Sequence, residues 1–158
     1  MNEKIVSKSV EDTLEIGKII AKNAFCGEVV TLSGDLGAGK TTLTKGVGKG
    51  LGIEEEINSP TFNILKCYFH DPLPLYHIDA YRLEGVRPEQ KNIGLEEIIE
   101  GNGVTLIEWP MYIEEFIPFD SLSIEIHNDE NGNRTLLLSS NSPKYFTTIK
   151  ELKEKFGC

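Results

Sequence analysis

The stretch from Ser33 to Thr42, SGDLGAGKTT, constrains the fold of this chain more than any other feature. It follows a short β-branched run, Glu28 to Leu32, that predicts a strand. It precedes a segment in which Leu43 and Val47 recur at helical spacing, so a helix is predicted from Lys40 to about Gly50. Gly34 to Thr41 fits the pattern G-x-x-x-x-G-K-[ST]. The order strand, glycine-rich loop and helix is that of a P-loop.

Each residue type in this loop has a physical task. Glycines allow backbone N–H groups to turn inward around a polyphosphate, in torsions that other residues rarely adopt. The helix that begins near Lys40 presents its positive dipole end to the same anion. Lys40 supplies a cation for the β- and γ-phosphates, and Thr41 a hydroxyl ligand for Mg²⁺. The alternative is a glycine-rich turn without a ligand. The loop residues predicted to bind ATP are Gly37, Ala38, Gly39, Lys40, Thr41 and Thr42.

Strands that alternate with helices in the first half predict a parallel α/β sheet. The segments 121–127 and 135–139 alternate apolar and polar residues around Asn131-Gly132, which predicts an antiparallel hairpin at the edge of the sheet. We therefore expect one domain over residues 1–158, a three-layer α/β fold of the P-loop NTPase type, with a mostly parallel sheet and an antiparallel C-terminal hairpin. The other predicted elements are a helix capped by Ser9, strands over 62–69, 75–81 and 104–108, a short helix over 95–100, and a last helix that follows Ser142-Pro143.

A carboxylate ends the strand over 104–108. Glu108 follows four residues of a mainly apolar run. In nucleotide-binding proteins an acid at the end of such a strand contacts Mg²⁺ directly or through water. We expect Glu108 to act as a metal ligand and catalytic residue. The alternative is a solvated glutamate at the end of a strand.

Three polar side chains share one predicted strand face. Side chains alternate along a strand, so His77, Asp79 and Tyr81 point to the same side. Polar groups on the face of an interior strand require a reason. Asp79 could orient the attacking water or a Mg²⁺-bound water, and His77 and Arg82 could stabilise charge nearby. The alternative is a buried network of satisfied hydrogen bonds.

The loop Ser59-Pro60-Thr61-Phe62 lies between the P-loop helix and the next strand. Loops in this position can sense the γ-phosphate as switches, and Thr61 could contact Mg²⁺ or the phosphate. Ser59 and Pro60 are also ordinary turn residues. The [NT]-K-x-D tetrapeptide that reads guanine does not occur, so adenine is the default base.

Composition limits the partners. The net charge of −9 does not attract nucleic acid, so any RNA is expected to be bound indirectly, through a protein partner. No apolar run approaches the ~20 residues of a membrane span, and the N-terminus does not resemble a secretory signal. The three cysteines form no disulfide framework, so we expect a reduced, cytoplasmic protein without membrane contact. A zinc site is a further alternative, with Cys67, His70 and His77 as candidate ligands. Their spacing matches no usual zinc motif.

The motifs together resemble those of the TsaE family in order, spacing and total length. The Asp-Leu-Gly-Ala-Gly filling of the loop and the Glu-Trp pair after the last parallel strand are more specific than the P-loop alone. The resemblance covers roughly residues 9–140. The segments that carry it are GDLGAGKTT (34–42), SPTF (59–62), YHIDAYRL (76–83) and IEWP (107–110).

The resemblance implies a weak, Mg²⁺-dependent ATPase. Proteins of this family are needed, with TsaD and TsaB, for the threonylcarbamoyl modification of adenosine 37 in tRNAs that read codons starting with A. The resemblance also implies that Lys40 binds the phosphates, that Thr41 and Glu108 bind Mg²⁺, and that Asp79 takes part in hydrolysis. Three more residues are implied near the nucleotide: Trp109 at the rim, Thr13 beside the adenosine, and Arg134 near the base or ribose.

Two other functions stay open. A small-molecule kinase could use Arg82, Arg87 and Lys91 as a lid over a phosphate acceptor. A nucleotide-gated assembly factor would use ATP binding to change its affinity for a partner, and hydrolysis would be incidental.

Overall fold

A seven-stranded mixed sheet organises the chain in this computed structural model. The structure describes residues 1–35, 37–58, 64–87 and 94–157. The strand order is β1-β7-β6-β2-β5-β4-β3. The strands are β1 (Asn2–Ser7), β2 (Val29–Gly34), β3 (Leu65–Tyr68), β4 (Leu75–Asp79), β5 (Val104–Glu108), β6 (Leu122–Asn128) and β7 (Arg134–Ser139). The α-helices are α1 (Val10–Lys22), α2 (Lys40–Leu51), α3 (Leu95–Ile99) and α4 (Phe146–Phe156).

The predicted fold class is confirmed. The four central strands β6, β2, β5 and β4 are parallel, and the hairpin β6–β7 is antiparallel as predicted. Antiparallel strands occur at both edges, because β3 also pairs with β4 in this way and β1 with β7. Their pairing was not predicted, since β1 joins residues more than a hundred positions away along the chain.

Two hydrophobic cores lie on opposite faces of the sheet. The larger core joins the sheet to α1, α2 and α4, and it includes Ile16, Val30 and Leu106. The smaller core joins the other face to α3 and nearby loops, and it includes Ile78 and Ile107. Because Leu106 and Ile107 are adjacent on β5 and point to different cores, the alternation of the strand builds both outer layers. None of the helices in the described part of the chain has the length and apolar character needed to cross a membrane.

Several predicted boundaries are corrected. Helix α2 continues past Gly50 and ends at Leu51, where Gly52 adopts φ 89°. Strand β4 ends at Asp79 rather than Tyr81, because the Asp79 Oδ1 accepts the backbone N–H of Tyr81 at 3.1 Å and a 3₁₀ turn begins. Tyr81 therefore does not share a strand face with Asp79. The predicted strand over 62–69 is described only from Leu65 onward.

Close packing of α1 against α2 places the N-termini of these two helices near each other. Helices α1 and α2 touch through their backbones: a Cβ added to Gly17 would lie 2.5 Å from the Leu43 carbonyl oxygen. A Cβ added to Gly46 would lie 2.4 Å from the Leu14 carbonyl oxygen. The predicted Ser9 cap of α1 is confirmed, since its hydroxyl accepts the Asp12 N–H at 3.0 Å. The start of α1 is thereby fixed relative to the start of α2.

Glu28 lies just before β2, at the end of the sheet away from the P-loop, and gives the chain a pH-dependent stability. Its side chain is buried, and its Oε1 has no hydrogen-bond partner among the described residues. Burial raises the pKa of Glu28 from 4.5 to about 8. The unfolded chain loses this proton near pH 4.5 while the folded protein keeps it, so the free energy of unfolding falls as the pH rises from about 5 to about 8.

We expect Glu28→Gln to abolish much of this dependence. Each pH unit in that window lowers the wild-type free energy of unfolding by up to about 1.4 kcal/mol through this group. The glutamine amide carries no charge at any pH in the window, so the variant should be more stable than the wild type at pH 8 but not at pH 5. Urea unfolding at both pH values measures the difference, with exposed Glu11→Gln as the control. Parallel pH profiles for the wild type and Glu28→Gln would contradict the assignment.

Candidate functional site

The P-loop occupies the turn between β2 and α2. Gly34, Gly37 and Gly39 have φ values of 144°, 80° and 103°, a region that favours glycine. A Cβ on Gly34 would lie 2.3 Å from the Ile126 carbonyl oxygen, so the neighbouring strand also requires glycine there. Helix α2 has no side-chain cap at its N-terminus. Its first N–H groups have no partner within the helix and are available to an anion.

The loop opens into a cleft at the carboxyl ends of the parallel strands, where ligands bind in open α/β sheets. The cleft has a volume of about 400 Å³. Its lining contains most of the residues predicted to bind ATP or to catalyse hydrolysis: Gly37, Gly39, Lys40, Thr41, Thr42, Asp79, Glu108, Trp109 and Arg134.

A second cavity of about 250 Å³ adjoins the cleft and shares Gly39, Thr42 and Arg134 with it. Thr13 lines this cavity, and its place beside the adenosine stays a prediction. The Thr13 hydroxyl is buried and lies 2.6 Å from the Ser7 hydroxyl. Sequence reasoning missed Ser7, because its position depends on the unpredicted strand β1. The remaining lining residues are Lys8, Ser9, Val10 and Gly132.

Arg134 joins the two cavities. It begins β7 directly opposite Ser7 on β1, and its Nη2 donates to the Gly37 carbonyl oxygen at 3.2 Å. The arginine therefore contacts the P-loop from the side of the second cavity. A phosphate or ribose at Gly39 would lie within reach of its guanidinium group, which is suited to phosphate recognition.

Lys40 is held against the wall of the cleft. Its Nζ donates to the Gly34 carbonyl oxygen at 2.6 Å and lies 4.3 Å from the centre of the Trp109 ring. The lysine is 6% exposed. A phosphate in the loop would offer this ammonium group a stronger, charged partner than a carbonyl oxygen.

Trp109 belongs to an aromatic cluster that sequence reasoning did not anticipate. Its φ of 57° is the one positive value among the described non-glycine residues. The ring lies 5.1 Å from that of Tyr81 and 6.3 Å from that of Tyr112, which stacks on it. Tyr81 is 52% exposed, so the cluster forms an aromatic rim beside Lys40.

Two carboxylates face the P-loop from adjacent strands. Asp79 and Glu108 are directly paired in the β4–β5 register, and the Ala80 N–H donates to the Glu108 carbonyl oxygen at 3.0 Å. Glu108 is 4% exposed, and its Oε2 lies 2.5 Å from His77 Nε2. His77 is fully buried behind Glu108 and does not line the cleft. Its predicted switch role stays a prediction.

The oxygen donors of the cleft fit Mg²⁺ better than a transition metal. The described residues contain no group of three or more His, Cys, Asp or Glu side chains that could hold a metal, so the zinc alternative has no support among them. Mg²⁺ is usually bound by one or two protein oxygens together with substrate phosphates and water. Thr41, Asp79 and Glu108 supply such oxygens in one cleft. Of the other predicted switch residues, Ser59 and Thr61 lie outside the described residues.

A larger open groove, of about 540 Å³, lies away from the P-loop, along strands β1, β7 and β6. It carries charges of both signs, from Glu3, Lys4, Glu125 and Lys153. Lys153 pairs with Glu3 at 3.4 Å. It contains no glycine-rich loop or unpaired helix N-terminus. The smaller cleft at the P-loop is therefore the candidate site.

The fold and this loop define the class of protein as a P-loop NTPase-like protein. A family model described as "Threonylcarbamoyl adenosine biosynthesis protein TsaE" matches residues 7–136. The chain belongs to the TsaE family.

Individual relatives agree with this assignment. The chain is 45% identical to the Bacillus subtilis protein named "tRNA threonylcarbamoyladenosine biosynthesis protein TsaE", over 90% of this chain and 88% of that one. It is 40% identical to a protein of the same name from Treponema pallidum, over 86% of this chain and 99% of that one. The crystal structure of Bacillus subtilis YdiB superimposes with a TM-score of 0.82 at 37% identity, covering 98% of this chain and 96% of that one.

Proposed function

We propose that this protein binds Mg·ATP in the P-loop cleft and hydrolyses it slowly to ADP and phosphate. We further propose that this activity supports the threonylcarbamoyl modification of adenosine 37 in tRNA, together with TsaD and TsaB. One observation carries the proposal: the uncapped N-terminus of α2, with Lys40 and Thr41, faces Asp79 and Glu108 across one cleft. Membership of the TsaE family supports the link to tRNA modification.

The P-loop residues would bind and orient the triphosphate. Backbone N–H groups at the start of α2 would donate to phosphate oxygens, and Lys40 would leave the Gly34 carbonyl oxygen to contact the β- and γ-phosphates. The Thr41 hydroxyl and the Glu108 carboxylate would hold Mg²⁺. When bound, this ion neutralises charge that develops on the phosphate oxygens. Phosphoryl transfer depends mainly on positioning and charge, so these contacts account for most of the catalysis.

The adjoining cavity would take the nucleoside. Thr13 and Arg134 border it, and the shared residues Gly39 and Thr42 connect it to the phosphate cleft. Adenine is favoured because the sequence lacks the tetrapeptide that reads guanine.

Slow turnover in isolation is part of the proposal. Arg134 is the one arginine that lines the described part of the cleft, and it contacts Gly37 at the nucleoside side rather than the carboxylates. P-loop enzymes often need an arginine at the γ-phosphate, supplied by a partner protein. We therefore expect TsaD and TsaB to raise the rate of hydrolysis. Equal rates with and without these proteins would contradict partner stimulation.

Asp79→Ala and Glu108→Ala are expected to separate binding from hydrolysis. Each should lower the rate of phosphate release by about a hundredfold or more, because each removes a carboxylate that positions water or metal. The Mg²⁺-free affinity for ATP should stay near the wild-type value, since Lys40 and the loop remain. The control is Glu125→Ala, which removes an exposed carboxylate from β6 outside the cleft.

The same variants test the alternatives. If complex formation and tRNA modification survive in both variants, the protein acts as a nucleotide-gated assembly factor and not through hydrolysis. If incubation with a panel of metabolites yields a phosphorylated product in place of free phosphate, the protein is a kinase. Loss of both phosphate release and tRNA modification supports the ATPase proposal.

A further inference from the structure

His77 is hydrogen-bonded to the Glu108 carboxylate behind the cleft wall. Its ring is fully buried on β4, and its Nε2 lies 2.5 Å from Glu108 Oε2 on β5. Glu108 lines the cleft, whereas His77 does not. Glu108 is thus the residue of the cleft to which the His77 side chain is hydrogen-bonded.

Core packing alone does not explain a histidine at this position. Its strand neighbours Leu75 and Ile78 are fully buried apolar residues. A buried polar ring costs free energy unless its polar atoms are paired. Nδ1 of His77 is buried without a hydrogen-bond partner in the part of the chain that the structure describes. The bond to Glu108 is thus the one interaction there that favours this ring over an apolar side chain.

The hydrogen bond places one carboxylate oxygen of Glu108 against Nε2 of His77. An ionised carboxylate oxygen only accepts, so with Glu108 ionised Nε2 of His77 is the donor. One carboxylate oxygen of Glu108 is then occupied on the core side. Glutamate has one more rotatable bond than aspartate, so a hydrogen bond to one of its carboxylate oxygens restricts more side-chain freedom at this position.

We propose that His77 is a positioning residue for Glu108. By holding Oε2, it keeps the carboxylate turned so that the remaining oxygen serves the Mg²⁺ site. A partner of this kind typically sets the affinity of a metal site, although it does not touch the metal. This inference rests on the proposed function, because it assumes that Mg²⁺ and a nucleotide occupy the cleft.

Variants that keep or remove the donor test the proposal. His77→Leu removes it, and His77→Gln keeps an N–H donor at nearly the same place as Nε2. The matched control is His127→Leu, which removes a histidine 3.4 Å from Glu125 on β6, where both side chains are 52% exposed. ADP affinity is measured for each protein with Mg²⁺ and with a chelator, by the fluorescence of Trp109, the single tryptophan of the chain.

The expected result is a selective loss. His77→Leu should weaken ADP binding in Mg²⁺ about tenfold, as changes in the partner of a metal ligand do. Its affinity in the chelator should be unchanged, and His77→Gln and His127→Leu should bind as the wild type does. The inference is overturned if His77→Leu keeps the Mg²⁺-dependent gain in affinity, if it loses affinity equally with and without Mg²⁺, or if His77→Gln fails as His77→Leu does.

A second readout needs neither metal nor nucleotide. The ¹⁵N shifts of the His77 ring in the free protein should show hydrogen on Nε2 and none on Nδ1. Hydrogen on Nδ1 alone would overturn the inference even if nucleotide binding were normal. Failure of the wild-type protein to bind ADP at all, with hydrogen found on Nε2, would instead overturn the proposed function.

Discussion

Lys40→Ala is expected to reduce ATP hydrolysis by at least about a hundredfold, even with TsaD and TsaB present. Lys40 lies at the first turn of α2 and contributes a cation to the P-loop cleft. Its Nζ needs only to leave the Gly34 carbonyl oxygen and the Trp109 ring to reach a phosphate. An alanine leaves the charge that develops on the γ-phosphate without this partner. Phosphate release under saturating ATP measures the effect.

The matched control for this variant is Lys49→Ala, which removes an exposed lysine from the last turn of the same helix. Its rate should stay close to that of the wild type. If Lys40→Ala hydrolyses ATP as fast as Lys49→Ala does, the cleft described above is not the catalytic site. The Lys40 variant should also change the fluorescence of Trp109 in the absence of nucleotide, because the ring loses its cation partner.

Gly46→Ala is expected to have the largest effect on stability. In an exposed helix this substitution would stabilise the protein by about 1 kcal/mol. Here the added Cβ would lie 2.4 Å from the Leu14 carbonyl oxygen of α1, far inside van der Waals contact with a backbone atom. The two helices must then separate, so we expect the free energy of unfolding to fall by about 3 kcal/mol. Urea unfolding measures it.

The separation of the two helices should also lower the affinity for nucleotide. Helix α1 carries Thr13 at the second cavity, and helix α2 carries Thr41 at the P-loop cleft. Moving one helix away from the other shifts these residues relative to each other, so ADP affinity should fall as well. Lys49→Ala serves again as the control, with little expected change in stability. A Gly46→Ala protein as stable as the wild type would show that the helices do not touch as described.

The sequence predicted the parts of the fold that local patterns determine. The P-loop, the Ser9 cap, the hairpin around Gly132 and the start of α2 at Lys40 depend on residues close together along the chain. Glu108 was predicted to end its strand, and β5 does end there. Asp79 was predicted inside a strand that in the structure closes at Asp79 itself. The predicted positions of the loop, the cap, the hairpin and Glu108 agree with the structure, whereas the chemical roles of the residues stay predictions.

Other features depend on pairings that no local pattern reveals. Strand β1 forms where Asn2 to Ser7 meet β7, and Ser7 lines the second cavity as a result. Tyr81 looked like a strand residue, but the Asp79 side chain ends the strand before it. The hydrogen bond between His77 and Glu108 joins two strands whose order in the sheet had to be known first.

The account depends on one arrangement: a triphosphate held by the amides at the start of α2, with its Mg²⁺ at Thr41 and near Glu108. A crystal structure of the protein with Mg²⁺ and a non-hydrolysable ATP analogue tests this most directly. The account predicts phosphates within hydrogen-bonding distance of the N–H groups of Gly39 to Thr41, and Lys40 Nζ moved from Gly34 to the phosphates. An analogue bound elsewhere, with Lys40 still on the Gly34 carbonyl oxygen, would contradict it.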